Sequence, residues 1–252
     1  LLMVIMTSLS EANPFFNRYN SSPEYKELLD EYVNMHKSSA NMFNGRSLVK
    51  FVDIIKTYLH KNNCKSFLDY GCGKGYLYTE EFDKVSGSKE IGKPLPEYWE
   101  LNNYRLYDPG HKEHDELPTE KYDAVISTDV LEHIPTSDMR WVVQEIFRYA
   151  RKMVFLNVAC MPALKKLKDG RNAHISLHSP YDWCQFLAEI SEDYPDLIIY
   201  GFFDEITEGD VFETKGYKII RRPNIIPLTM RDKEEKKTLV GEEEEPKVQR
   251  WD

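Results

Sequence analysis

Apolar residues recur along this chain with two periods. Tyr25, Leu28, Leu29 and Tyr32, followed by Met35 or His36, keep helical spacing. Ser22 and Pro23 stand ahead of them as N-cap and first helical residue, which predicts a helix from that point. A second stripe of Leu48, Phe51, Val52, Ile55, Tyr58 and Leu59 predicts a helix from Arg46, ended by Lys61-Asn62-Asn63. The pattern then changes. Residues 65–70 put Phe67 and Leu68 side by side, as in a parallel strand buried on both faces. Residues 104–107 and 122–128 predict further strands, and residues 76–82 are compatible with a helix. Met139, Val142, Val143, Ile146, Phe147 and Ala150 mark a helix over 136–152, with a strand over 153–159. Ser179-Pro180 caps another helix through Ser191, with Trp183, Phe186, Leu187 and Ile190 inward. Residues 197–203 and 215–221 predict two last strands with no helix between them, hence an antiparallel pair at the sheet edge.

This order of elements predicts an α/β fold: a Rossmann-like three-layer sandwich. Its central sheet is mostly parallel, with an antiparallel C-terminal edge strand and an N-terminal helical cap. The expected organisation is an arm and cap over 1–62, a ligand-binding domain over 63–225, and a charged, disordered tail over 226–252. Asn13-Pro14-Phe15-Phe16 reads as a strap packed on the domain, with a lid as the alternative. Residues 87–103 are a loop-rich connection, and 160–179 form a long polar excursion.

Composition narrows the function. The 252 residues are 41% hydrophobic and 30% charged, as in an ordinary globular protein. A net charge of −9 disfavours broad nucleic-acid binding. Cys64, Cys72, Cys160 and Cys184 form no CxxC pair, so a reducing, cytoplasmic setting is expected. No apolar run is long enough to span a bilayer, and the apolar start, residues 1–6, lacks the basic flank of a signal peptide.

The chemistry gathers at three strand ends. The first strand runs into Asp69-Tyr70-Gly71-Cys72-Gly73-Lys74-Gly75. Glycines at alternate positions let the backbone take positive φ and let a ligand approach where a Cβ would clash. A helix starting after Gly75 would add free N–H groups and a positive dipole end. The second strand ends at Asp108, placed to accept hydrogen bonds from ribose hydroxyls. The strand 122–128 delivers Asp129-Val130-Leu131-Glu132-His133 to the same edge. The glycine spacing does not fit the dinucleotide fingerprint. Asp-x-Gly-x-Gly-x-Gly, with Asp108 and the run 122–135, instead resembles the class I S-adenosylmethionine-dependent methyltransferases over residues 65–160.

That resemblance implies that Asp69 and the backbone of Gly71, Cys72 and Gly73, with Gly75 behind them, hold the methionine end of S-adenosylmethionine. It implies ribose contacts for Asp108, and a place along the methionine portion for Asp129 and Val130. The family has a third strand after the ribose acid, but only the 14 residues 109–122 are available for one here, so that strand is expected to be short or absent. His133, at a strand end, and His174, in Gly170-Arg171-Asn172-Ala173-His174, are the candidate catalytic bases for methyl transfer to a hydroxyl. The spacing of Asp129, Glu132 and His133, with His174 downstream, is similar to the metal site of RNA 3′-terminal 2′-O-methyltransferases, with Asp in place of its first Glu. It is also similar to the metal-assisted site of ubiquinone-pathway O-methyltransferases. This implies Glu132, His133 and His174 as ligands of a divalent metal. The expected acceptor is a small molecule or a terminal hydroxyl, methylated at oxygen. Lys165, Lys166, Lys168 and Arg171 offer a basic patch for a phosphate or carboxylate on it. Two alternatives stand beside this: an RNA 2′-O-methyltransferase, and a non-catalytic S-adenosylmethionine-binding regulatory domain.

Overall fold

The computed structural model describes residues 8–9, 12–220 and 224–228. One sheet of seven strands organises it: β1 (Phe67–Tyr70), β2 (Tyr104–Tyr107), β3 (Tyr122–Thr128), β4 (Ala150–Ala159), β5 (Ile198–Thr207), β6 (Val211–Ile220) and β7 (Asn224–Leu228). Their spatial order is β2-β1-β3-β4-β5-β6-β7. The first five are mutually parallel, β6 pairs antiparallel with β5, and β7 pairs antiparallel with β6. The antiparallel edge therefore has two strands, and the hairpin β5–β6 turns tightly through 208–210. β7 enters the stretch expected as tail, and residues 229–252 lie outside the described ones. No strand lies between β2 and β3, so β2 is the other edge.

Alternate strand residues feed two cores, one on each face of the sheet. Phe67, Ala124, Ile126 and Phe155 face α3 (Val52–Lys61). Leu68, Val125, Val154 and Leu156 face α6 (Thr136–Tyr149) and α7 (Pro180–Ser191). These are the three layers of the Rossmann-like sandwich. α7 begins where the sequence predicts: Ser179 and Asp182 form a reciprocal capping box ahead of Pro180. In α1 (Pro23–Ser38) the Ser22 hydroxyl accepts from the Tyr25 N–H at 3.0 Å.

Two predicted helices differ. The stripe from Arg46 breaks into α2 (Arg46–Val49) and α3, because Phe51 leaves the helical ladder at φ −106° and ψ −1°. Its ring seats against Phe155 and Phe202, with centroids 5.5 and 5.6 Å away. The loop-rich stretch 87–103 contains two short helices, α4 (Ser88–Ile91) and α5 (Leu95–Trp99).

The described part of the N-terminal arm behaves as a strap. Arg18 pairs with Glu145 of α6 and donates to the Tyr70 hydroxyl at 3.1 Å. All four cysteines are free thiols. No helix among the described residues is long and apolar enough to cross a membrane.

Candidate active site

Strand register aligns the three acidic ends. Tyr70 of β1 pairs with Tyr107 of β2, so Asp108 lies beside the glycine loop. β3 on the other side of β1 brings Asp129 to the same edge. The loop is shaped by close contacts. Gly71 has φ +87°, and a Cβ there would lie 2.3 Å from Val130 Cγ2. At Gly73, φ +59°, a Cβ would meet the Phe43 carbonyl oxygen at 2.2 Å. The Gly71 N–H donates to the Tyr107 carbonyl at 2.7 Å, and the Gly73 N–H to Asp108 Oδ2 at 2.9 Å.

The helix expected after Gly75 is absent. Residues Tyr76–Tyr78 make one 3₁₀ turn and Thr79 is extended. Leu77 and Tyr78 both turn into the core, and the Tyr78 hydroxyl donates to Asp69 Oδ2 at 2.7 Å. The cradle therefore lacks a helix dipole. Its polar lining is carboxylate, and its glycines admit Val130, the Phe43 backbone and Leu106 close against the loop.

Those carboxyls are held against their preference. Burial pushes Asp69 from 3.8 up to about 7; the Tyr78 hydrogen bond opposes this and the charge of Asp108 adds to it. Burial likewise raises Asp108 to about 6, although the Gly110 and Gly73 N–H groups stabilise its ionised form. Cys72 is a buried thiol whose sulfur faces the Gly73 carbonyl.

The other wall carries the histidines. A cavity of about 470 Å³ reaches from Asp69 and Asp108 to Tyr32, His133, Lys165 and His174. His133 Nδ1 lies 2.9 Å from the Ala173 carbonyl oxygen and 2.7 Å from the Tyr32 hydroxyl. His174 Nδ1 lies 2.6 Å from the Met161 carbonyl oxygen. A carbonyl can only accept, so in both rings Nδ1 carries the proton and Nε2 presents a lone pair. The ring centroids are 4.9 Å apart. Burial lowers the pKa of His133; Asp129 opposes that shift and His174 adds to it.

Asp129, His133 and His174 offer ligand atoms all within 4.8 Å of one another. Glu132 is not in this set. Its Oε1 accepts from the Ala159 N–H at 2.7 Å, and burial and the negative charge of Asp129 raise its pKa well above the usual range. The expected ligand spacing assumes an α-helix, but Leu131–His133 is a 3₁₀ turn preceded by Asp129 at φ +60°. That geometry turns Glu132 into the sheet and leaves Asp129 at the mouth, where its Oδ2 accepts from the Ser47 hydroxyl at 2.8 Å.

Residues 40–190 match a family described as a methyltransferase domain. The match covers more than half of the chain and contains the glycine loop, Asp108, Asp129 and both histidines. The chain belongs to the class I S-adenosylmethionine-dependent methyltransferases. No curated protein matches it in sequence. Among solved structures, it is similar to magnesium protoporphyrin IX methyltransferase from Synechocystis PCC 6803 with bound S-adenosylhomocysteine. That likeness has 18% identity and a TM-score of 0.37, over 78% of this chain and 95% of that one. It is also similar to coclaurine N-methyltransferase bound to N-methylheliamine and S-adenosylhomocysteine, with 19% identity and a TM-score of 0.26, over 55% and 52% of the two chains.

Among the polar side chains lining the methyltransferase's cavity, Tyr32, His36 and Ser47 were not expected as site residues from the sequence. Tyr32 and His36 belong to the stripe of α1, where polar-edged rings among leucines are the available signal. Ser47 carried none. Of the basic patch, Lys165 lines the cavity, whereas Arg171 is paired with Glu24 and Asp169.

Proposed function

We propose that this methyltransferase transfers a methyl group to a hydroxyl of a small acceptor, with His133 and His174 acting on that hydroxyl. The observation that carries this is the shared tautomer of the two rings. Each commits Nδ1–H to a backbone carbonyl and keeps Nε2 for a ligand. S-adenosylmethionine supplies an electrophilic sulfonium methyl, so the protein's task is orientation. Orientation alone contributes on the order of 7–11 kcal/mol.

What supports that cofactor is a cavity of about 470 Å³ lined by Asp69, the glycine loop and Asp108 at one end and by the histidines at the other. On this reading Asp69 takes the ammonium end and the loop through Gly71, Cys72, Gly73 and Gly75 gives it room. Asp108 accepts from the ribose hydroxyls, and Asp129 and Val130 flank the methionine portion. Residues 1–62 serve as arm and cap and 63–225 as the catalytic domain, whose sheet β7 carries on to Leu228.

The hydroxyl proton has two routes. With no cation bound, Nε2 of His133 or His174 accepts it directly, a contribution of about 10²–10⁴-fold. Alternatively, Asp129, His133 and His174 would hold a divalent cation, whose Lewis acidity would lower the pKa of the hydroxyl. The mixed carboxylate–imidazole set suits such an ion, and the Nδ1–carbonyl bonds are the support that metal-bound imidazoles use. Lys165, whose Nζ lies 5.8 Å from the Phe43 ring centroid, is placed at the acceptor side to meet a phosphate or carboxylate.

The test measures S-adenosylhomocysteine formation over a panel of hydroxyl compounds, with and without anionic groups, and an RNA 3′ end. It is run before and after exhaustive chelation. His133→Ala and His174→Ala are expected to lower turnover at least about 100-fold while cofactor affinity holds. Full activity after chelation removes the cation, and full activity in both variants removes the histidines.

A further inference from the structure

α1 brings a second group to the cavity besides Tyr32. His36 lies four residues on, hence on the same helix face. Its side chain is 4% exposed and its ring is sandwiched. Phe43 stacks on it with centroids 4.4 Å apart and planes at 29°, and His111 with centroids 5.0 Å apart and planes at 21°. With both stacking partners in place, the ring meets polar groups through its edge. On that edge Nδ1 has no partner among the described residues. Nε2 lies 3.7 Å from Asp108 Oδ1, beyond hydrogen-bond range.

The part of this edge that a bridging group could occupy is the gap between Nε2 and Asp108 Oδ1. Burial, reinforced by His111, Lys74 and His114, pushes the imidazole down to about 4, which keeps it neutral at physiological pH. It therefore does not neutralise Asp108. The space between the two is kept by Gly110. A Cβ there would lie 3.2 Å from Asp108 Oδ1 and 3.3 Å from His36 Cδ2. Asp108 Oδ1 accepts from the Gly110 N–H at 2.8 Å and Oδ2 from the Gly73 N–H at 2.9 Å, which leaves each oxygen a further lone pair. The Lys74 ammonium donates to the His36 carbonyl at 2.9 Å, tying the end of α1 to the glycine loop.

A carboxylate that only accepts and a neutral ring N–H that donates are together complementary to a hydroxyl, which does both. Resting on the S-adenosylmethionine site proposed above, we propose that His36 is a cofactor-binding residue. Its Nε2–H donates to a ribose hydroxyl oxygen whose own proton goes to Asp108, so the two side chains clamp one hydroxyl between them. The pair would then disfavour a cofactor lacking that hydroxyl, since the His36 Nε2–H would be left unpaired and Asp108 would lose one donor beyond its two backbone N–H groups.

The test is calorimetric titration of the full chain with S-adenosylhomocysteine and with its 2′-deoxy and 3′-deoxy forms. His36→Phe keeps the stack and removes the donor. It is expected to weaken S-adenosylhomocysteine about three- to ten-fold. For one of the two deoxy forms that loss should vanish, and His36→Gln should restore most of the affinity. An equal loss for all three ligands, or no loss, overturns the clamp. A wild-type chain that gives no binding overturns the cofactor site and the clamp together. If His36→Phe fails to fold, the His36 side-chain ¹⁵N shift in the wild type decides. It should move with S-adenosylhomocysteine and stay in place with the deoxy form that lacks the contacted hydroxyl. A shift unmoved by S-adenosylhomocysteine overturns the proposal.

Discussion

Asp69 is a carboxyl that the fold holds at a cost to itself. Its pKa is pushed to about 7 by burial, against an ordinary 3.8. At low pH it is neutral in folded and unfolded chains alike and costs nothing. As pH rises from about 4 to about 7, the unfolded chain sheds the proton and the folded chain keeps it, so stability falls across that window. Asp69→Asn is therefore expected to raise the melting temperature at pH 8 and leave it nearly unchanged at pH 4. The same substitution should weaken S-adenosylhomocysteine binding at pH 8 by at least about ten-fold, because the ammonium loses its anionic partner. In the wild type, affinity should climb between pH 5 and pH 8 as Asp69 and Asp108 ionise. Calorimetry across that range checks the sign. A flat profile would mean that neither carboxylate meets the ligand.

At the scale of elements, α1 matters most, because one helix face serves both ends of the cavity. Tyr32 reaches His133 and, one turn on, His36 reaches toward Asp108. Tyr32→Phe keeps the ring and removes the hydroxyl that shares the His133 Nδ1–H with the Ala173 carbonyl. It should lower kcat by about ten-fold and leave S-adenosylhomocysteine affinity intact, which steady-state kinetics beside calorimetry would show. A parallel loss of affinity would instead mark Tyr32 as a packing residue. The elements that the sequence made legible are those with local signals. Ser22-Pro23 and Ser179-Pro180 start helices by capping chemistry, and β3 has the bounds that its apolar run predicts. The elements missed depend on tertiary packing. Phe51 breaks a helix to reach Phe155, and Tyr78 prevents one by tying its hydroxyl to Asp69. β7 is apolar, but Pro227 argues against a central strand and is tolerated here because β7 is the sheet edge.

For the whole molecule, the parallel sheet decides where chemistry occurs. Three successive strand ends, Asp69, Asp108 and Asp129, converge on one edge because β2, β1 and β3 are neighbours in register. That convergence was readable from spacing and motif. The composition of the opposite wall was readable only in part. Asp129 replaces Glu132 beside the histidines because its positive φ and the short 3₁₀ turn depart from helical spacing, and neither leaves a mark in the sequence. The most direct single measurement of the account is a crystal structure of the methyltransferase with S-adenosylhomocysteine. The expected result places the ribose hydroxyls on Asp108 and the amino-acid end over Gly71–Gly73, with the sulfur facing the Asp129, His133 and His174 side. A ligand bound outside this cavity, or one with its sulfur turned away from both histidines, would contradict it.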